Sequence, residues 1–536
     1  MTHSVRNMLQ STFIFAGIFV AIIVSIFGGT VSVAQAQIVI DDSELGQAKQ
    51  KLQRAVEATK QKNAESSSTS QKTQANSPSQ TPNQNNQSHR LFKFWSANAP
   101  ATTFTYKAPS PAFVDYFYSS VMTSPPLLPQ QNSTTSLHCD SLRSGSTARY
   151  STSASADYAR PYWEDRVLGN AQLFAIPAEQ GTVTAIDFAT LSSQGQTQLG
   201  FRYYANSLDY DTPVEPLKIA DVFAITGTLS KARMAGASTN SLLGDQHVLA
   251  LFEQTLTRTK KTSSSVVSHP ITTYFADIAE RDYLTSLLKE RWLLAKNPQN
   301  VLRGFTSAAP YTPSNESWLA LNSQTLHTVP YRLPLVINDE VTNPSEQQNR
   351  LTPLVMVEWF KRLVTHDRVA QTAFPRLTDS DIQGVFYGQK AFKPIHHGGH
   401  TGGLQSNTGN IVHAALAEAI QGAPVNRPKT VLDNNTRGAW RIWQTTDWQA
   451  DLQTQSSRAV VLTHICLPNY QGGREFTVFA EAKYQHSDDL YSTTVNNIKV
   501  QNATPEMTQQ RLQNHAAIKL KQILTEVFGQ LLQVEP

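Results

Sequence analysis

Three histidines lie close together in a glycine-rich stretch, residues 395–410, which reads IHHGGHTGGLQSNTGN. The histidines are His396, His397 and His400. Imidazole is a common zinc ligand, and His413 or Asp381 is available to complete a coordination set. The stretch is also compatible with a polar structural loop or with one wall of a substrate site, because glycine lets the backbone approach a ligand closely. The spacing matches no zinc motif and no glutamate adjoins a histidine, so we predict a protein without a cofactor.

Two hydroxyl side chains stand three residues before a lysine, Thr228 before Lys231 and Ser286 before Lys289. On a helix this spacing brings the two side chains onto one face. A sufficiently desolvated lysine can then act as the base for a hydroxyl nucleophile. Thr228 follows a strand-like run, DVFAIT, and Ser286 lies in a leucine-rich helix. We expect the true pair at the start of a central helix, facing residues 395–410.

The N-terminus predicts export. Arg6 precedes an apolar run at residues 13–28, and an Ala-x-Ala signal ends at Ala36, an order typical of a secretory signal peptide. We predict cleavage after Ala36, with an uncleaved membrane anchor as the alternative. Residues 37–90 predict a short helix and a disordered Ser/Gln/Asn-rich linker. The protein is therefore expected in the periplasm or cell envelope, with membrane contact only if the N-terminal segment is retained.

Composition excludes one class of partner. Of the 536 residues, 40% are hydrophobic and 16% charged, and the formal net charge is +4. This charge is too small and too dispersed for nucleic-acid binding, which needs a basic stripe. Export permits a disulfide between Cys139 and Cys466, and two unpaired buried thiols are the alternative.

Residues 91–536 predict an α+β domain. Strand-like alternation or β-branched runs occur near both ends, with a helical subdomain at about 220–435 between them and a long amphipathic helix at the C-terminus. We expect one antiparallel sheet with helices on both faces. The predicted strands are residues 171–176, 182–188, 199–204, 438–446, 459–467 and 476–484. The predicted helices are residues 242–256, 278–294, 349–364, 378–386, 408–420 and 505–532.

This order resembles the serine β-lactamase and D-alanyl-D-alanine carboxypeptidase superfamily, the penicillin-binding enzymes. Residues 349–364 are similar to its NRLTP segment and the helix that follows, and residues 438–446 to the strand that ends in Lys-Thr-Gly. The resemblance implies a sheet shared by N-terminal and C-terminal strands, a β-lactamase-like arrangement, and a peptidoglycan-like substrate.

The chemistry of that family uses Ser-x-x-Lys, Ser-x-Asn and Lys-Thr-Gly. By resemblance, the candidate catalytic residues are Thr228, Lys231, Ser286, Lys289 and His400. His400-Thr401-Gly402 is similar to a His-Thr-Gly variant of the third motif, and Gln444-Thr445-Thr446 occupies the strand position of Lys-Thr-Gly. Thr401, Gly402, Gln444 and Thr445 are the candidate binding residues.

Three functions remain open on the sequence. The first is a diverged serine hydrolase of the carboxypeptidase or β-lactamase type. Such a protein would hydrolyse or bind peptidoglycan. The second is a non-catalytic envelope interaction or scaffold protein, and the third is a metal-dependent hydrolase that uses the histidine stretch.

Overall fold

The computed structural model describes parts of the chain from residue 103 onward, all within the unit Gln84–Pro536. The predicted signal peptide, the linker, Cys139 and residues 389–402 lie outside the described residues. No helix among the described residues is both long and apolar enough to cross a bilayer. The described residues are 103–129, 163–167, 174–193, 196–206, 208–234, 236–237, 239, 241–243, 246–256, 270–303, 317–321, 326–330, 349–366, 373–388, 403–406, 409–486, 492–495, 498–501 and 504–534.

Strands and helices alternate in blocks along these segments. The strands are β1 Gly181–Ser193, β2 Gln196–Ala205, β3 Leu242–Leu243, β4 Gln246–His247, β5 Ser317–Leu321, β6 Leu326–Pro330, β7 Arg441–Asp451, β8 Ser456–Leu467, β9 Arg474–Gln485, β10 Ser492–Val495 and β11 Ile498–Gln501. The α-helices are α1 Pro111–Phe117, α2 Glu164–Val167, α3 Ile219–Met234, α4 Val248–Leu256, α5 Pro270–Ala279, α6 Arg281–Ser286, α7 Pro353–Val364, α8 Asp379–Tyr387, α9 Ile411–Gln421, α10 Pro428–Thr436 and α11 Pro505–Gln533.

Five strands form the central sheet in the order β2-β1-β9-β8-β7. Every neighbouring pair is antiparallel, and β1 from the N-terminal group pairs directly with β9 from the C-terminal group. The prediction that the two strand groups share one antiparallel sheet is therefore confirmed. Residues alternate between the two sides of a strand, so Val460 and Leu462 face one hydrophobic core while Ala459 and Val461 face the other.

The long terminal helix covers one face of this sheet. Thr504 accepts a hydrogen bond from the backbone N–H of Met507, and Pro505 occupies the first helical position, where no N–H is needed. Its apolar stripe, which includes Leu520, Ile523 and Leu524, belongs to the same core as Val461 and Val478 of the sheet. The predicted helix at residues 505–532 is thus confirmed, with one further residue at its end.

Truncation of this stripe tests how much it stabilises the fold. Leu524 has no exposed surface. We expect Leu524→Ala to lower the free energy of unfolding by about 2–5 kcal/mol, because the substitution loses transfer energy and leaves a cavity. Urea denaturation of the two proteins measures the change. Met507→Ala, at a 45% exposed position of the same helix, is the control and should change little.

Helix α7 packs on the opposite face of the sheet. Thr352 caps its start by accepting from the backbone N–H of Val355 at 3.2 Å, and Pro353 is its first residue, four residues after the start of the predicted range. All twelve residues of the helix are buried. The buried set includes charged residues of α7, which form an internal network.

Several sequence predictions were wrong in detail. Residues 174–177 are not a strand, and the hairpin is instead formed by β1 and β2, which pair over ten residues. The amide side chain of Asn206 donates to the carbonyls of Ile176 and Gly181. These two hydrogen bonds hold residues 174–177 beside β1, although the segment is not a strand of the sheet. The predicted helix at 242–256 begins only at Val248, because β3 and β4 precede it.

The other differences lie in the helical region. The strand-like run DVFAIT belongs to α3, in which apolar residues are buried on every side and leave no amphipathic pattern to read. The predicted helix at 278–294 is interrupted at Glu280, whose φ of 65° is incompatible with a right-handed helix, and it ends in a π-helical turn, Leu287–Arg291.

Candidate functional site

The structure does not bring Thr228 and Lys231 together as nucleophile and base. Thr228 lies in the middle of α3 with no exposed surface, and its hydroxyl lies 2.7 Å from the carbonyl oxygen of Ala224 and 3.0 Å from that of Phe275. The Lys231 ammonium instead donates to the carbonyl of Ala279 and pairs with Glu280 at 2.7 Å. A substrate has no path to a hydroxyl that is enclosed by helix packing.

Ser286 and Lys289 also do not form a nucleophile–base pair in the structure. The Ser286 hydroxyl donates to the carbonyl of Tyr283 at 2.7 Å and accepts from the Arg291 guanidinium at 2.9 Å. A π-helical turn begins at Leu287, so Lys289 does not occupy the standard α-helical position one turn after Ser286. Burial, followed by the charge of Arg303, lowers the pKa of Lys289. The Ser286 hydroxyl is thus engaged by residues of its own segment.

The third-motif position lies on β7, at the edge of the central sheet. Gln444 and Thr445 are buried, and the Gln444 amide donates to the carbonyl of Gly409 at 2.8 Å. Gln444 and Thr445 thus lie on a strand, and their assignment as binding residues stays a prediction. His400, Thr401 and Gly402 lie outside the described residues, as do His396 and His397.

The two described members of the proposed zinc set have other contacts. Asp381 forms a capping box with Thr378 and accepts two hydrogen bonds from the Arg233 guanidinium, at 2.7 and 2.8 Å. His413 packs edge-on against Trp440, and burial lowers its pKa to about 3. Within the described part of the chain, no group of three or more metal-ligating side chains converges.

Charged side chains instead gather where the start of α3 meets β7 and β8. We call this set the helix-start cluster; its members are Glu215, Lys218, Asp221, Asp447, Arg458 and Glu481. The Lys218 backbone N–H lies 3.3 Å from a carboxylate oxygen of Asp447. Arg458 bridges Glu215, at 3.1 Å, and Glu481, at 2.7 Å. Lys218, Glu215 and Asp447 are half-buried, so the cluster combines fixed geometry with access from solvent.

Asp221 is the most perturbed acid of the cluster. Its side chain is 7% exposed, and burial raises the pKa from 3.8 to about 7. The Lys218 charge and the Thr272 hydroxyl oppose this rise in pKa, and the Asp447 carboxylate adds to it. A carboxyl group with such a pKa can hold or release a proton near neutral pH, which is the property of a general acid or base.

The raised pKa of Asp221 predicts a pH-dependent contribution to stability. The folded protein binds this proton more tightly than the unfolded chain, whose aspartate keeps a pKa of about 3.9. The resulting stabilisation is complete below about pH 4 and is lost as the pH rises through about 7. We therefore expect the unfolding free energy of the native protein, minus that of Asp221→Asn, to decrease across this interval.

Urea denaturation at pH values from about 4 to 8 measures this difference. Asp282→Asn, at an exposed position at the start of α6, is the matched control. An Asp221 difference that stayed constant across the interval would contradict the assignment.

The helix-start cluster contains no hydroxyl nucleophile and therefore matches none of the sequence motifs of the resembled enzymes. Glu215 and Lys218 flank Pro216 and Leu217 just before α3, but both lie outside the helix and Leu217 has a φ of 50°, so the three-residue spacing does not place their side chains on one helical face. The pairing of Arg458 with Glu215, 243 residues apart, leaves no local signal in the sequence.

Comparison with known proteins gives weak matches. No protein-family model and no curated protein matches the sequence. Among solved structures, a β-lactamase from Streptosporangium roseum is similar, with 12% identity, a TM-score of 0.28, and coverage of 64% of this chain and 92% of that one. The transpeptidase domain of the FtsI4 D,D-transpeptidase from Legionella pneumophila is also similar, with 8% identity, a TM-score of 0.25, and coverage of 74% and 98%. TM-scores and identities this low carry no argument about activity.

Proposed function

We propose that this protein is an exported cell-envelope protein with a diverged β-lactamase-like or penicillin-binding-like fold, which binds peptidoglycan-type ligands at the helix-start cluster without forming a serine acyl-enzyme. One observation carries the proposal. The entry to α3 places the half-buried Lys218 beside the half-buried Asp447 of the edge strand, whereas the Thr228 hydroxyl is enclosed further along the same helix.

The cluster fits a ligand that has charges of both signs. Lys218 can pair with a carboxylate and Asp447 with an ammonium group, whereas Glu215 is held by Arg458. Peptides of the cell wall carry both groups, and such complementary placement fixes the register of a bound chain. The edge strand β7 lies beside the cluster and supplies one wall. The signal-peptide pattern at residues 1–36 supports a location where such ligands occur.

Covalent labelling tests the absence of an acyl-enzyme. We expect no band on a denaturing gel after incubation of the purified chain with a fluorescent penicillin, under conditions that label a reactive penicillin-binding protein. A band that survives denaturation would overturn this part of the proposal, and mass spectrometry of the labelled peptide would then identify the nucleophile.

Cosedimentation with purified peptidoglycan sacculi tests binding. The native protein should pellet, and Lys218→Ala combined with Asp447→Asn should bind roughly tenfold more weakly, because two charge-assisted contacts are lost. Lys429→Ala removes a 42% exposed lysine on α10 and is the matched control. Failure of the native protein to pellet, or equal binding by the double variant, would refute the assignment to this cluster.

A further inference from the structure

A cavity of about 710 Å³ opens at one end of the central sheet. Its walls come from the extended segment before α1, the turn before β1, the start of β8, the end of β9, and α11. The lining side chains that matter here are Tyr106, Glu179, Arg458, Lys483, Tyr484 and Lys519. Of these, Arg458 alone also belongs to the helix-start cluster, so the cavity is a separate candidate site.

An aromatic wall is fixed in place on one side of the cavity. The Tyr484 ring stacks on the His515 ring, with centroids 4.6 Å apart and the planes 4° from parallel. Tyr106 meets Tyr484 edge-on at 5.8 Å, and its hydroxyl is 3.0 Å from His515 Nδ1. Burial raises the pKa of Tyr106 and lowers that of His515 to about 4, so both groups are neutral at physiological pH. The wall is rigid and uncharged, with polar atoms at its edges.

Lys519 supplies a buried cation beside this wall. The residue is 5% exposed, and its ammonium lies 5.7 Å from the centre of the Tyr106 ring. An ammonium has three donors, and among the described residues this one finds a single acceptor, the carbonyl of Lys483. Burial lowers the pKa of Lys519 to about 8, so the ammonium is the main form at neutral pH. Among the described residues, two of its N–H groups therefore have no acceptor.

The lining carries three cationic side chains, Arg458, Lys483 and Lys519, and one acidic side chain, Glu179. Arg458 is held by Glu215 and Glu481, so its charge is compensated. Lys483 is 45% exposed and lies 3.8 Å from Glu481. Glu179, an exposed residue, is the one acidic side chain of the lining, and its charge raises the pKa of Lys519. An anion in the cavity can therefore pair with the Lys519 ammonium as well as with the more exposed Lys483.

We propose that this cavity binds a saccharide of one or two rings that carries a carboxylate. The carboxylate would accept from Lys519, which satisfies the donors that the protein leaves open. A sugar ring has an apolar C–H face and polar edges, which suits tyrosine rings flanked by hydroxyl and amide groups. The cavity volume falls within the roughly 300–1,000 Å³ typical of small-ligand sites. This proposal extends beyond peptide binding at the helix-start cluster and does not depend on it.

Titration calorimetry and ligand-observed NMR with D-glucuronate test the proposal on the full chain. Glucose serves as the uncharged sugar and benzoate as the carboxylate without a sugar. Glucuronate should bind roughly tenfold more tightly than either, since each lacks one of the two recognised features. Equal affinity for glucuronate and glucose, tighter binding of benzoate, or no binding of glucuronate would each overturn the proposal.

Two variants change the cavity charge in opposite directions. Lys519→Gln should weaken glucuronate binding roughly tenfold, because the charge-assisted contact is lost. Glu179→Gln should strengthen it several-fold, and this exposed position does not threaten folding. Glu526→Gln, an exposed acid of α11 outside the cavity lining, should leave the affinity unchanged. An unchanged affinity in Glu179→Gln would contradict the proposal even if Lys519→Gln failed to fold.

Discussion

Replacement of Glu358 by glutamine is expected to cost about 3–5 kcal/mol of folding free energy, one of the two largest single effects in the described structure. The Glu358 carboxylate has no exposed surface and lies 2.7 Å from both the Lys361 ammonium and the Arg362 guanidinium. It also accepts from the Tyr203 hydroxyl at 2.7 Å. Glutamine keeps the size of the side chain but removes the negative charge that Lys361 and Arg362 both face.

The aromatic rings around this network explain why water cannot replace the charge of the Glu358 carboxylate. Lys361 lies 4.3 Å from the centre of the Phe201 ring, and Arg362 lies over the rings of Trp163 and Trp292. Burial alone would raise the pKa of Glu358, but the charges of Lys361 and Arg362 outweigh it and hold the pKa below its ordinary value. Glu358 is therefore ionised in the folded protein.

Glu280→Gln is the matched control for Glu358→Gln. Glu280 pairs with Lys231 at the same 2.7 Å, but its side chain is 65% exposed. We expect that pair to contribute less than about 1 kcal/mol, since solvent screens it. Urea denaturation of both variants gives the comparison, and similar losses in the two proteins would show that the buried network is not dominant.

Short sequence signals were sufficient to predict the helices and strands that contain them. The Thr–Pro pairs at Thr352 and Thr504 marked the starts of α7 and α11, and Gly422, with a φ of 71°, ends α9. The alternating runs of the C-terminal strands predicted β7, β8 and β9 to within a few residues. In each case a few adjacent residues carry the information, and tertiary packing only reinforces it.

Features that depend on packing were not predictable. Helix α3 is surrounded by other elements, so its apolar residues show no helical period. Glu280 has a positive φ of 65°, which its residue type gives no reason to expect. The helix-start cluster needs Arg458 from a distant strand, and the cavity beside Tyr106 needs α11 to lie across the ends of β8 and β9. Such sites follow from the three-dimensional arrangement and not from any local pattern.

Arg474 links the sheet to the end of the terminal helix. It is 2% exposed, and its guanidinium donates to the carbonyls of Leu531 and Val534 and lies 3.2 Å from the Asp187 carboxylate. The last carbonyls of a helix have no partner within the helix and carry partial negative charge. A buried guanidinium at this position therefore satisfies the end of α11 and the Asp187 charge together.

Arg474→Met removes the charge and the donors while it keeps a long side chain. We expect a loss of about 3–5 kcal/mol in unfolding free energy, because the helix carbonyls would lose this donor and Asp187 would lose this cation while it keeps the longer 3.7 Å pair with Arg202. Hydrogen exchange should also become faster in the last turn of α11 before the rest of the helix opens. Arg511→Met, which breaks a partly exposed pair with Asp115 at 3.3 Å, is the control and should cost less than about 1 kcal/mol. If Arg474→Met lost no more than this control, or if exchange in the last turn of α11 were unchanged, Arg474 would not be the residue that fixes the terminal helix to the sheet.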